Sequence, residues 1–249
     1  MSTNGTRVAL YSCYFGDVEP FNPGALGPGS EDGVDRFVFT DCPDLSEADL
    51  NGAILRTLPE GPHDPKVLSR IPKLCPHKVL PRDYDWYIYV DNRARLNRSV
   101  ASALELIKGQ FADAPVGRYF FAHQAPRDAY RELRIAYRKG FITEAEYLAT
   151  RELFETNGFP KGQPLFVNTC MIQRGTDAAL DAFNDTWLAL FTDVCGRDQP
   201  ILPYALHATG YPARVLACGL ADIVDWPVFN FKQRRNWRQA KAKAAAQGA

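Results

Sequence analysis

The sequence predicts one α/β domain with a mainly parallel central sheet flanked by helices. The segment Trp86–Asp91 (WYIYVD) is apolar on both alternating faces, which suits a strand covered on both sides in a largely parallel sheet. Strand-like and helix-like segments also alternate on either side of it, the order expected of β-α-β units. With 249 residues, 46% of them hydrophobic and 23% charged, the chain has enough apolar material for one sizeable core.

Taken in order, Arg7–Phe15 and Arg36–Asp41 predict two strands separated by a Pro- and Gly-laden loop, Gly16–Gly33. Asp64–Cys75 carries Pro65 and Pro72, so any helix there is short or broken. After the strand ending at Asp91, Ser99 can cap a helix whose Val100, Ala103, Leu104 and Ile107 share a face. Arg118–His123 then predicts another buried strand. Helices follow over Asp128–Lys139 and Glu144–Asn157; Thr143 with Glu146 reads as a capping box for the second, and Gly158 as its stop. Pro164–Arg174 is strand-like. Leu180, Phe183, Trp187, Leu190, Phe191 and Val194 lie on one helical stripe after Thr176 or Asp177, and Arg197–Thr209 and Arg214–Cys218 predict a last helix and strand. The core domain therefore runs over residues 6–225, followed by a basic tail over 226–249.

Charge narrows the function classes. The 29 Lys and Arg balance 29 Asp and Glu, whereas a general nucleic-acid binder needs a surplus of cations. No stretch approaches the roughly 18 apolar residues that span a bilayer, and Met1–Arg7 is polar, so the chain reads as an unexported, cytoplasmic protein. Six scattered cysteines without a CxxC pair read as free, buried thiols. The tail carries Lys232, Arg234, Arg235, Arg238, Lys241 and Lys243 and no acid. It reads as a solvated, partly disordered C-terminus, or else as a peripheral contact with anionic lipid at the inner membrane face or with a phosphorylated carrier.

Ligands of open α/β sheets bind beyond the carboxyl ends of the strands, so Asp41, Asp91 and His123, each at a predicted strand end, should converge on one crevice. Asp91 could hold a hard divalent cation, or merely cap the following turn. His123 with Arg127, Asp128 and Tyr130 forms a polar cluster where a strand gives way to a helix. Arg174 ends a buried strand and wants an anionic partner, with Asn168 earlier on the same segment. Asp198 sits in the first turn of its helix, where a carboxylate also complements the helix dipole.

Seven segments in this order resemble one family, the glycosyltransferase-like domain of plants and bacteria first catalogued as a domain of unknown function. They are ALYSCYFG with Gly16; FVFTD ending at Asp41; RIPKLCPHKVLPRDYDWYIYVDNRARL from Arg70 to Leu96; AHQAPRDAYRELR from Ala122; NGFP from Asn157; FVNTCMIQR ending at Arg174; and FNDTW, Phe183–Trp187, with Arg197-Asp198-Gln199 after it. The resemblance implies a single GT-A, Rossmann-like domain that binds a nucleotide-sugar at the sheet edge and a glycan or glycolipid acceptor beside it, in surface or cell-wall polysaccharide synthesis. With this resemblance, the candidate donor-binding residues are Tyr11, Gly16, Asp41, Lys73, His77, Asp91, Arg93, Arg127, Asn168, Arg174 and Arg197, and the candidate catalytic residues Asp198, Gln199 and His123.

The Asp-Gln pair resembles the one by which several retaining GT-A enzymes hold the donor sugar. Retention could then proceed beside Gln199, whereas inversion would need a base, with Asp198 the first suspect. The Asp-x-Asp pattern of many glycosyltransferases is broken by Arg93, leaving Asp91 as a single carboxylate for a Mn or Mg ion, or Arg93 as a direct contact to the diphosphate. Plant members of the family are also assigned a ceramidase activity, but the chain has neither GxSxG nor HExxH. A non-catalytic nucleotide-sugar binder is the third reading.

Overall fold

A computed structural model describes residues 5–42, 45–50, 52–58, 64–110, 116–125 and 128–247. The chain starts with β1 (Val8–Tyr14), buried along its whole length, and passes through a 3-10 turn at Pro23–Leu26 to β2 (Val34–Thr40). A short α1 (Glu47–Leu50) and β3 (Ile54–Thr57) follow, neither of which stands out in the sequence. The proline-containing stretch is indeed broken, into α2 (Pro65–Leu68) and α3 (Arg70–Leu74), before β4 (Trp86–Val90).

Beyond β4 come a two-residue β5 (Arg95–Leu96) and α4 (Val100–Lys108), where Ser99 accepts a hydrogen bond from the Ser102 amide. β6 (Gly117–Ala122) leads to α5 (Ala129–Arg138) and α6 (Glu144–Thr156), the latter opened by the capping box of Thr143 and Glu146. β7 (Phe166–Arg174), α7 (Ala178–Asp193) and α8 (Asp198–Thr209) follow. The chain closes with β8 (Arg214–Val215), shorter than the predicted run to Cys218, then β9 (Val224–Asp225) and α9 (Phe231–Gln247).

Seven strands form one sheet in the order β3-β2-β1-β4-β7-β6-β8, and every strand but β7 runs in one direction. From β1 the chain moves outward through β2 and β3, then returns to place β4 on the other side of β1. That reversal makes a topological switch point between β1 and β4, and it is at the carboxyl ends of such strands that α/β sheets bind their ligands.

Each face of the sheet is covered. Tyr11, Phe39, Tyr89 and Phe120 pack with Leu74, Leu133, Phe183, Trp187 and Leu202 of the helices α3, α5, α7 and α8. Leu10, Val38, Ile88, Phe121 and Ile172 pack on the other side with Leu26 and with Val100 and Leu104 of α4. All six cysteines are free, and Cys13, Cys75, Cys170 and Cys195 are buried.

Two expectations are corrected. β7 lies antiparallel between β4 and β6, so its last residue, Arg174, pairs in register with Trp86 and Gly117 at the edge opposite the crevice. The C-terminal segment, read as partly disordered from its composition, is a single helix over Phe231–Gln247.

Buried Arg118 on β6 fixes α3 against the sheet. Its guanidinium donates to the Leu74 carbonyl (2.7 Å), the Lys73 carbonyl (2.8 Å) and the Asn184 side chain, and stacks 5.2 Å from the Trp187 ring. A cation at the carbonyl end of a helix also complements its dipole. Arg118→Met should therefore destabilise the protein by about 3 kcal/mol, because it strands several buried acceptors. Urea denaturation measures this, and an unchanged midpoint would remove Arg118 from the account.

Candidate functional site

The loop leaving β1 and the end of β2 are joined at the crevice, where the Gly16 amide donates to Asp41 Oδ1 at 2.9 Å. Gly16 has φ +73°, a conformation that favours glycine, and an added Cβ would meet Pro65 at 3.3 Å. Asp91 follows β4. Its amide donates to the Thr169 carbonyl (2.8 Å) and its Oδ1 accepts from the Arg93 amide (3.0 Å), so the carboxylate does cap the turn while staying only partly buried. Asn92 anchors that turn inward: Oδ1 accepts from the Asn22 amide, and Nδ2 donates to Glu19 and to the Pro20 carbonyl.

A second carboxylate, Asp198, heads α8 with only 6% of its surface exposed. Lys73 Nζ lies 2.7 Å and Arg70 Nε 3.5 Å from its Oδ2, and the ammonium also sits 5.3 Å over the Tyr89 ring. Burial alone would push the Asp198 carboxyl up, but Lys73 and Arg70 outweigh it and hold the group well below the usual carboxylate range. Arg70 and Lys73 lie within electrostatic reach of Asp91 as well, as does Arg234 of α9. The strand-end carboxylate at the switch point thus lies within electrostatic reach of cations on α3 and α9.

Asn168 lies on β7, 7% exposed, with neither its amide oxygen nor its nitrogen paired. Satisfied groups are the rule in a protein interior, so this amide is where a ligand hydroxyl would fit. Gln199 Nε2 reaches the Phe166 carbonyl at the start of β7 (3.4 Å), which puts the α8 N-terminus next to the same strand end. Arg197 turns away, toward Glu132 Oε1 (3.8 Å) and the face of Phe141 (4.6 Å).

Besides Arg197, four predicted site residues are not brought to Asp91. Tyr11, 1% exposed, packs against Phe39 and Tyr89 in the middle of the sheet. His77 faces α7, with Nε2 3.1 Å from Asp185 and Nδ1 3.5 Å from Asp181. Arg174 stacks over Trp86 at 5.5 Å, on the far edge, because β7 runs opposite to its neighbours. His123 sits at the β6 strand end as expected, but its Nδ1 accepts from the Ala125 amide (3.1 Å), which closes a local turn. Arg127 lies outside the described residues.

The surroundings of Asp91 do not fit a Mn or Mg ion. Such ions want several oxygen ligands, and here one carboxylate stands among cations. Glu19, 8% exposed, is already held by Asn92, Arg93 and Arg234. Among the described residues, the group of three potential ligands is Cys75, His77 and Asp185, on the α3–α7 side. That donor set is too soft for Mn or Mg, and Lys78 Nζ already lies 2.9 Å from Asp185.

Sequence reasoning missed Arg70, Glu19, Arg118 and Arg234. Arg70 carried a signal, since it precedes Lys73 by three residues and so shares a helix face with it. The others act across long sequence separations. A separate cavity of 810 Å³ opens between α5 and α6, lined by Tyr130, Arg131, Arg134, Tyr147 and Lys161 among others; it is distinct from the Asp91 crevice.

No protein-family model and no curated protein matches this chain. Two solved structures align with most of it. One is the apo structure of the WbbM bifunctional glycosyltransferase, at 9% identity and TM-score 0.49, over 96% of this chain and 45% of that one. The other is the glycosyltransferase GlyE of Streptococcus pneumoniae TIGR4, at 12% identity and TM-score 0.45, over 86% and 46%. This chain spans less than half the length of either, and likeness at this level decides nothing about activity.

The Asp198 cluster sets an acid limit on stability. The carboxyl is held low in the folded state and is ordinary, near pKa ~3.9, when unfolded. Its contribution is therefore complete above about pH 5 and fades as the pH falls below about 4. Asp198→Asn should remove that part of the acid dependence and cost about 3 kcal/mol at neutral pH, because two cations lose their buried partner. Chemical denaturation from neutral to acid pH tests both; parallel wild-type and variant profiles would contradict the assignment.

Proposed function

We propose that this protein transfers a glycosyl group from a nucleotide-sugar to a glycan or glycolipid acceptor, in the synthesis of a surface polysaccharide. The observation that carries the reading is the position of Asp91, at the end of β4 beside the switch point and within electrostatic reach of Arg70, Lys73 and Arg234. Such a crevice suits a nucleotide. Its cations suit the diphosphate that leaves when a glycosyl bond breaks. The order of motifs from ALYSCYFG to RDQ supports the same reading.

In this scheme the chain orients the donor and neutralises the departing diphosphate, while the anomeric carbon passes through an oxocarbenium-like state. Asp198, already saturated by Lys73 and Arg70, keeps those cations in place and is poorly suited to act as a base. Gln199 and Asn168 are the polar side chains left for sugar hydroxyls. The acceptor would approach from the β6 side, where His123 lies and where Arg131, Arg134 and Lys161 line the α5–α6 cavity. No helix of the described chain is long and apolar enough to cross a membrane. The exposed Lys232, Arg235 and Lys243 of α9 would suit a peripheral contact with anionic lipid at the cytoplasmic face.

Release of nucleoside diphosphate from a panel of nucleotide-sugars, with and without glycan acceptors, tests the reading. Wild-type protein should turn over one donor class. Asp91→Ala should lose at least about 100-fold in turnover, the scale of losing one electrostatic contact to the reacting centre, while the protein stays folded by circular dichroism. A variant as active as wild type would show that the site has been misplaced.

A further inference from the structure

We propose that the basic C-terminal helix is part of the donor site, with Arg234 binding the donor's diphosphate beside Arg93 and no divalent ion between them. The inference rests on the donor reading above and adds the group that takes the diphosphate.

α9 has no continuous apolar stripe to bury, so packing of the usual amphipathic kind does not explain its place. One row of side chains holds it to the loop after β1. Arg234 Nε lies 3.1 Å from Glu19 Oε2, and Trp237 Nε1 donates to the Asp17 carbonyl and Oδ1, both at 3.2 Å. Arg238 Nε donates to the Val18 carbonyl at 3.1 Å, and Lys241 pairs with Asp17 Oδ2 at 2.5 Å. Asp17 has φ +44°, the one positive value at a described residue other than glycine. Such a conformation persists where its surroundings enforce it, and here Tyr14, Trp237 and Lys241 all converge on that carboxylate. The tail therefore shapes the loop that borders the switch point.

Arg93 and Arg234 meet on one carboxylate, Glu19, at 3.9 and 3.1 Å, and Glu19 also accepts from Asn92. Both Nε atoms are buried without a directed hydrogen bond. Two guanidinium forks that meet on Glu19, each with an unbonded Nε, match the paired oxygens of a diphosphate. A divalent cation placed there would face both guanidiniums.

Calorimetric titration of the full-length protein with UDP, GDP, ADP, CDP and dTDP, in EDTA and then in Mn²⁺, decides the matter. At least one should bind in EDTA, with affinity unchanged by Mn²⁺. Arg234→Gln should weaken it about tenfold or more, the effect of one hydrogen bond to a charged group, while Arg235→Gln on the exposed side changes nothing.

Glu19→Gln separates binding from clamping. If Arg234 touches the ligand, loss of the competing carboxylate leaves affinity equal or tighter. If Arg234 serves only to seat α9, Glu19→Gln weakens binding as Arg234→Gln does, and the proposal is overturned. Binding that requires Mn²⁺, or an Arg234→Gln protein of unchanged affinity, also overturns it while leaving the donor reading intact. Failure of all five nucleotides in both conditions overturns the donor reading as well.

Discussion

A lysine ammonium and an aspartate carboxylate meet at 2.7 Å, both nearly out of water, where α3 faces the start of α8. Neither charge would survive there alone, because desolvating an unpaired ion costs several kcal/mol. The pair therefore fixes two elements that are more than a hundred residues apart in sequence. Arg118 secures the same helix from beneath, through the Lys73 and Leu74 carbonyls, and Arg70 adds a second cation from the solvent side. With α3 and α8 locked, the rim of the crevice is rigid on one side, and Asp91 has a fixed cationic neighbourhood.

What could be read in the sequence was what local chemistry determines. Trp86–Val90 is buried on both faces because it is apolar on both, and Thr143 with Glu146 caps α6 because the two side chains reach each other within one turn. The direction of β7 was not readable, since alternation is the same whichever way a strand runs. Two helices, α5 and α6, separate β6 from β7, and an even number of crossings returns the chain to the edge it left. Arg174 therefore lies at the edge away from Asp91, whereas Asn168 lies at the other end of the strand, next to the Thr169 that accepts from the Asp91 amide. His77 was misjudged because proximity to Lys73 in sequence ignores the turn between them, which points the imidazole at α7.

The tail failed as a sequence reading for a different reason. Its composition lacks an apolar face, and the contacts that order it lie about 220 positions away, on Asp17 and Val18. Once it is in place, positive charge that looked like a solvated surplus becomes part of the electrostatics around Asp91. Arg93, where an Asp-x-Asp pattern would have a second acid, and Arg234 of the tail both lie against Glu19.

A crystal structure with a bound nucleoside diphosphate should show phosphate oxygens beyond the end of β4, within hydrogen-bond distance of Arg93 or Arg234 and adjacent to Asp91 and Asn168. Density for the nucleotide in the α5–α6 cavity, with the Asp91 crevice empty, would contradict this placement.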